Sequence, residues 1–209
     1  MPSETVSSGD PQGLEALWSG EFGDAYTSRN FDVAGPRGPF WHDIVERTAP
    51  ARFLELGCSV GANLQWIGAH SPTTARFGLD LNLGALSELR ARDPEVGSVR
   101  ASATALPFAD GAFDLVATVA VLIHQDATVL PGALDELVRC SSHWILIAEL
   151  FAETEIKVEW RGQSHALIKR DYGALIRERH PHLRLETMAL LTRDQGWDDV
   201  TYWLFEQTH

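Results

Sequence analysis

Hydrophobic and polar positions change their spacing several times along the chain, and each change marks an element. Leu14, Leu17 and Trp18 recur at helical intervals between Pro11 and Ser19, which predicts a short amphipathic helix. Trp18, Phe22 and Tyr26 continue a four-residue spacing, but Gly20 and Gly23 interrupt it. A glycine costs about 1 kcal/mol inside a helix, so the chain is expected to turn at both. Asp24 would then cap a second helical turn beginning at Ala25. Beyond the loop AGPRGPF a helix is expected near Trp41–Thr48, ended by Pro50.

From residue 52 onward, short apolar runs alternate with helical patterns. RFLEL, ARFGLDL, a short piece near Val99–Ala101, FDLVATV and HWILIAEL read as strands. Helices are expected at Asn63–His70, at Leu83–Arg92 and near Thr128–Cys140. Such alternation predicts parallel β-α units and a sheet covered on both faces. The end of the chain differs. Asp171–Arg179 reads as a helix, and LRLETMALL and DDVTYWLFEQ as strands joined only by TRDQGW. That connection is too short for a helical crossover and predicts an antiparallel hairpin. The expected organisation is a tail and helical segment over residues 1–50, then one α/β domain over 51–209.

Composition narrows the function classes. The 209 residues carry 44% hydrophobic positions and a net charge of −12, which suits a soluble globular domain and argues against neutralisation of nucleic-acid phosphates. MPSETVSSGD lacks the charged and apolar regions of a signal peptide, and no apolar run is long enough for a membrane span, so a cytoplasmic protein without membrane partners is expected. Cys58 and Cys140 are the two cysteines, and neither a disulfide framework nor a metal site is expected of them.

The chemistry concentrates at the ends of the first strands. FLELGCSVGANL places Gly57 and Gly61 between a buried strand and a helix, where backbone can approach a ligand closely. Ser59 and Ala62 stand where a dinucleotide fingerprint wants its second and third glycines, which weakens a nicotinamide reading. Asp80 in GLDLN follows Gly57 by 23 positions and ends the second strand, where a carboxylate can accept hydrogen bonds from both hydroxyls of a ribose or cap a helix.

Together with ASATALPFADGAFDLV and AVLIHQ, these motifs resemble, in order and spacing, the class I S-adenosylmethionine-dependent methyltransferases. The resemblance keeps Glu55, Gly57 and Gly61 of the family's glycine motif, with Ser59 at its middle glycine. It implies S-adenosylmethionine as cofactor and a Rossmann-like open sheet of order 3-2-1-4-5-7-6, its strand 7 antiparallel, beneath an N-terminal helical lid. It also implies roles. Glu55 would lie near the methionine amino group, and Gly57, Cys58, Ser59 and Gly61 along the methionine and ribose. Asp80 would hold the ribose and Leu81 would flank the adenine. Ser102 stands where many relatives have an Asp for the adenine amino group, with Ala103 after it, and Val119 to Ile123 would floor the sulfonium. LWSGEFGDAYTSRN, WRGQSHALIKRDYG and DDVTYWLFEQ further resemble methylases associated with pseudaminic acid biosynthesis.

Methyl transfer to an amine or hydroxyl needs a base, whereas a carboxylate acceptor does not. His124 in VLIHQ is the candidate base, with a structural role for that histidine as the alternative. The lid reading puts Trp18, Phe22 and Tyr26 toward the sulfonium, Tyr26 with a catalytic part, and Arg29 toward the methionine carboxylate. Asn30 is a further substrate-side candidate. Arg161, Gln163, His165, Lys169 and Arg170 concentrate donors and positive charge after the fifth strand, as an anion site or as a solvated loop, and Tyr172 is placed to reach the same cavity. A small-molecule methyltransferase is expected. Two alternatives stay open: another use of the cofactor, such as cyclisation to azetidine-2-carboxylate with release of methylthioadenosine, and a non-catalytic cofactor-binding partner.

Overall fold

The computed structural model describes residues 11–29, 35–160 and 163–208. Parallel strands come first: Arg52–Leu56 (β1), Ala75–Asp80 (β2), Gly97–Arg100 (β3), Phe113–Val119 (β4) and Ser141–Glu149 (β5). Ile156–Trp160 (β6) and Gln163–Lys169 (β7) then form a separate antiparallel hairpin, and Leu183–Leu191 (β8) and Val200–Gln207 (β9) complete the main sheet. The order is β3-β2-β1-β4-β5-β9-β8, with β9 antiparallel to both β5 and β8. This is the expected Rossmann-like arrangement. Its last two strands are β9 and β8 only because the β6–β7 hairpin intervenes, where the sequence predicts no strands.

Period-two alternation divides the core between the two sheet faces. In β5, Ile145 and Ile147 join Leu134 and Leu137 of helix Leu130–Cys140, the sixth in the chain, and Ile176 of the seventh, Tyr172–Arg179. Leu146 and Ala148 face the opposite way, toward Trp41 and Ile44 of the third helix, Gly38–Thr48, and Leu64 and Ile67 of the fourth, Leu64–His70. We label these α6, α7, α3 and α4; Pro11–Ser19 is α1, Glu21–Arg29 is α2 and Leu83–Arg92 is α5. Each fully buried Leu, Ile or Phe contributes about 1.5–3 kcal/mol, so the chain has the two dry faces that a covered parallel sheet needs.

The N-terminal helices depart from the expected hinge pattern. Only Gly20 lies between helices; Gly23 lies inside α2, and Asp24 is a helical residue, not a cap. Packing overrides propensity there. A Cβ at Gly23 would lie 1.8 Å from the Trp18 carbonyl oxygen and 2.8 Å from Asn82 Nδ2, so only glycine lets α2 settle this closely. Strand order reverses between β1 and β4, and the crevice at their carboxyl ends is where open α/β sheets bind ligands.

Candidate active site

The turn after β1 departs from ordinary backbone in consecutive steps. Gly57 and Gly61 hold φ of +67° and +79°, and between them Ser59 takes +48°. The middle-glycine position therefore keeps a left-handed conformation despite its side chain, at a cost of about 1–2 kcal/mol. At Gly57 an added Cβ would come within 2.2 Å of Val121 Cγ2, so the first glycine is also set by space. Ser59 offers its amide to Asp80 Oδ2 at 2.8 Å, and its Oγ is buried without a partner among the described residues. Cys58 turns the other way. Its thiol is packed beneath the loop beside Gly78, and burial pushes it well above the usual thiol range, which leaves only its backbone to the site.

Asp80 closes the other side of the loop. Oδ2 accepts from Ser59 and Oδ1 accepts from the Asn82 amide, also at 2.8 Å. Burial raises its carboxyl and these amides pull it back down. Each oxygen retains an acceptor site. Leu81 and Ala103 flank this carboxylate along the cavity wall, and Ser102 Oγ lies 2.9 Å from Thr104 Oγ1. A hydroxyl pair thus occupies the position where the resemblance implies a single Asp.

Glu55 lies beside the loop, on the α3–α4 face of β1. Its Oε1 accepts from Asn63 Nδ2 at 2.6 Å, while Asn63 Oδ1 accepts from Trp41 Nε1 and Arg37 Nη1, both at 3.2 Å. The Arg37 guanidinium also stacks 4.3 Å over the Trp197 ring. Glu55 Oε2 is buried without a partner among the described residues, and burial pushes the carboxyl up to about 8 against the pull of Asn63 and Arg37.

The N-terminal pair covers the crevice. Trp18 meets Phe22 and Tyr26 edge-on, with centroids 5.4 and 5.3 Å apart, and packs 4.6 Å from the His124 imidazole. Asn82 fastens this cover. Its Oδ1 accepts from Ala85 as the α5 cap, and its Nδ2 donates to Asp24 Oδ1 at 2.8 Å and to the Trp18 carbonyl at 3.3 Å. Beneath lies a cavity of about 170 Å³ whose wall includes Trp18, Tyr26, Gly57, Ser59, Asp80, Leu81, Ser102, Ala103, Val119, His124 and Gln125. His124 stands on a 3₁₀ turn, Leu122–His124, just past β4. Glu149 at the end of β5 cradles that turn. Its Oε1 accepts from Val121 and Leu122, each at 3.0 Å, and its Oε2 from Ile123 at 3.2 Å, while burial pushes the carboxyl up to about 7.

Residues 54–143 match the family model of a methyltransferase domain. No curated protein sequence gives a significant match to the chain. Among solved structures, similar folds include the Burkholderia thailandensis 1,6-didemethyltoxoflavin N1-methyltransferase bound to 1,6-didemethyltoxoflavin and S-adenosylhomocysteine. That match has a TM-score of 0.73 at 15% identity, over 96% of this chain and 91% of that one. The glycopeptide N-methyltransferase MtfA complexed with S-adenosylhomocysteine matches with a TM-score of 0.64 at 13% identity, over 83% of this chain and 90% of that one. The [4+2]-cyclase SpnF matches at 0.57 and 15% identity, over 81% of this chain and 80% of that one. At such identities the likeness establishes the fold, which is that of methyltransferases and of at least one cyclase.

Against this methyltransferase-like frame, the candidates separate. Trp18, Tyr26, Gly57, Ser59, Asp80, Leu81, Ser102, Ala103, Val119 and His124 share one cavity wall. Phe22 backs Trp18 and is not part of that wall; Arg29, at the exposed end of α2, is also not part of it. Glu55, near the end of β1, and Cys58 and Gly61, in the loop itself, are not part of that wall. Tyr172 is fully buried and donates to the Ile168 carbonyl at 2.6 Å, and Lys169 sits opposite Ile156 in the hairpin, so neither reaches the cavity. His165 belongs to β7, with its side-chain surroundings outside the described residues, as are Asn30 and Arg161 altogether. Sequence reasoning missed Asn82, Thr104, Gln125 and Glu149. Of these only Asn82, directly before a helical pattern, carried a local signal, that of a cap.

Proposed function

We propose that the chain is a small-molecule methyltransferase using S-adenosylmethionine, with the acceptor held between the α1–α2 lid and the His124 turn. The observation that carries this reading is the shared cavity. Ser59 and Asp80 form one part of its wall, while Trp18 and His124 pack together at another. The chain's residues fit the cofactor on two further grounds: Glu55 Oε2 and Ser59 Oγ are buried without a partner among the described residues, as atoms awaiting a ligand would be.

In this reading Asp80 accepts from the ribose hydroxyls, Ser102 and Thr104 face the adenine edge, Leu81 and Ala103 flank its plane, and Glu55 takes the methionine ammonium. When bound, the cofactor supplies a methyl group on a cationic sulfur. Trp18 and Tyr26 exclude water and offer ring faces to a cation, worth about 1–2 kcal/mol when desolvated. A ring nitrogen of His124 accepts the acceptor's proton as its nucleophilic atom attacks. Arg29 remains the candidate for the methionine carboxylate from the lid's end. The stretches LWSGEFGDAYTSRN, WRGQSHALIKRDYG and DDVTYWLFEQ support the narrower kinship with methylases associated with pseudaminic acid biosynthesis.

Calorimetry with S-adenosylhomocysteine should show one site per chain, and incubation with S-adenosylmethionine plus amine, hydroxyl and carboxylate acceptors should yield S-adenosylhomocysteine. A cyclase on the same fold favours one second reading, use of the cofactor without methyl transfer. In the case of azetidine-2-carboxylate formation, the cofactor's own amine would displace methylthioadenosine. Methylthioadenosine released from S-adenosylmethionine alone, in proportion to protein, would decide for that reading and against ours.

A further inference from the structure

The residue after His124 carries an orphan of its own. Gln125 is 7% exposed, belongs to the cavity wall, and has a buried Oε1 with no partner among the described residues. Its backbone is locked. The Gln125 amide donates to the Leu122 carbonyl at 3.0 Å, and its carbonyl accepts from Arg170 Nη1 at 2.7 Å. Arg170 is itself buried and ties its Nε to Glu155 Oε2 at 2.9 Å. The Gln125 backbone is therefore held by Arg170, the residue just after β7, and its side chain shares the cavity wall with His124.

Charge in the wall points the same way. Among the described residues its acidic side chains are Glu15 and Asp80, and no Lys or Arg lines it. Of the cations expected to gather an anion, Arg170 gives Nη1 to Gln125 and Nε to Glu155 and keeps a buried Nη2 without a partner among the described residues, but neither it nor Lys169 belongs to the wall. A carboxylate acceptor would meet carboxylates and no Lys or Arg in that wall, whereas a neutral N–H would find Gln125 Oε1, without a partner among the described residues, in the same wall as the candidate base His124.

We propose that Gln125 reads the acceptor, and that the acceptor is a small molecule carrying a neutral N–H, not a carboxylate. This deepens the methyltransferase reading and rests on it. The acceptor nitrogen's lone pair forms the new N–C bond, the C–S pair leaves with the sulfur as a neutral thioether, and the N–H proton passes to His124. Gln125 Oε1 accepts from a second N–H or the same one as the acceptor docks.

The test uses protein saturated with S-adenosylhomocysteine and four probes, uracil and benzamide against benzoate and phenylacetate, followed by ligand-observed NMR and thermal shift. Uracil or benzamide should bind, with at least tenfold preference over the carboxylates. Gln125→Met should weaken that probe about tenfold or more, and Gln125→Glu, which keeps an acceptor there, should keep its affinity within about threefold; both should leave S-adenosylhomocysteine affinity within about threefold. Binding of the carboxylates in preference, binding of none of the four, or an unchanged probe affinity in Gln125→Met would overturn the proposal. S-adenosylhomocysteine binding by the wild-type chain is read first and separately, so failure of the methyltransferase reading itself is distinguishable.

Discussion

Glu55→Gln is the substitution whose consequence can be worked furthest. Burial holds this carboxyl at about 8 against an ordinary 4.5. A group whose folded pKa is raised stabilises the fold in full below its unfolded pKa and loses that contribution as pH rises through the folded one. Wild-type stability should therefore decline between about pH 4.5 and pH 8. At 1.36 kcal/mol for each tenfold change in proton affinity, this one group accounts for a loss of about 5 kcal/mol above pH 8 and about 3 kcal/mol at pH 7. Glutamine keeps the Oε1 that Asn63 holds and removes the charge. The difference in unfolding free energy, variant minus wild type, should be near zero at pH 4.5 and rise to several kcal/mol in the variant's favour by pH 8.5. Urea denaturation at pH 4.5, 7 and 8.5 measures it. Glu149, pushed up to about 7, titrates in the same window, but it is common to both proteins and cancels in the difference. A difference that does not change with pH would refute the reasoning. The same variant should bind S-adenosylhomocysteine at least tenfold more weakly, since a neutral amide replaces the proposed partner of an ammonium.

Other substitutions probe the site from different sides. Asp80→Ala removes two acceptors for the Ser59 and Asn82 amides and the proposed ribose contact, so S-adenosylhomocysteine affinity by calorimetry should fall about 30-fold or more; unaffected binding would remove the ribose assignment. Gly23→Ala places a Cβ 1.8 Å from the Trp18 carbonyl and should displace α1 from α2, seen as faster proteolysis of the first 30 residues with little change in the cooperative melt. Tyr26→Ala and Arg29→Ala should each weaken S-adenosylhomocysteine binding several-fold; if neither changes affinity or turnover, the helical pair is packing alone. Glu149→Ala strands the buried amides of Leu122 and Ile123 and the part-buried amide of Val121, which should cost about 2–6 kcal/mol and shows in urea denaturation as a large loss of native stability.

The strands and helices of the main sheet were legible because burial on two faces writes itself into short apolar runs. Leu83–Arg92 and LRLETMALL fall where the pattern puts them. The β6–β7 hairpin was less legible: Ile156, Val158 and Trp160 alternate with charged residues over only five positions, a pattern as short as that of a charged loop. Gly23 misled for a physical reason: propensity describes an isolated helix, while the close approach of Asn82 exists only in three dimensions. Partners far apart in the chain stayed hidden in the same way. Nothing local in Arg170 points to Gln125, 45 positions earlier, and a terminal Glu149 looks like any polar strand end.

Asn82 divides its amide between two loyalties, and this sets how the proposed lid can move. Its carbonyl end holds the first turn of α5, and its amino end holds the lid through Asp24 and Trp18. Swinging α1 and α2 away breaks only the second set, so α5 keeps its cap and the sheet stays closed around its core. Two such hydrogen bonds are worth about 1–3 kcal/mol together, which slows dissociation of whatever lies beneath by roughly five- to a hundredfold. In that proposed lid the residence time of a bound ligand would depend on this side chain together with the Trp18–His124 contact, and exchange would be a local event that leaves global unfolding out of it.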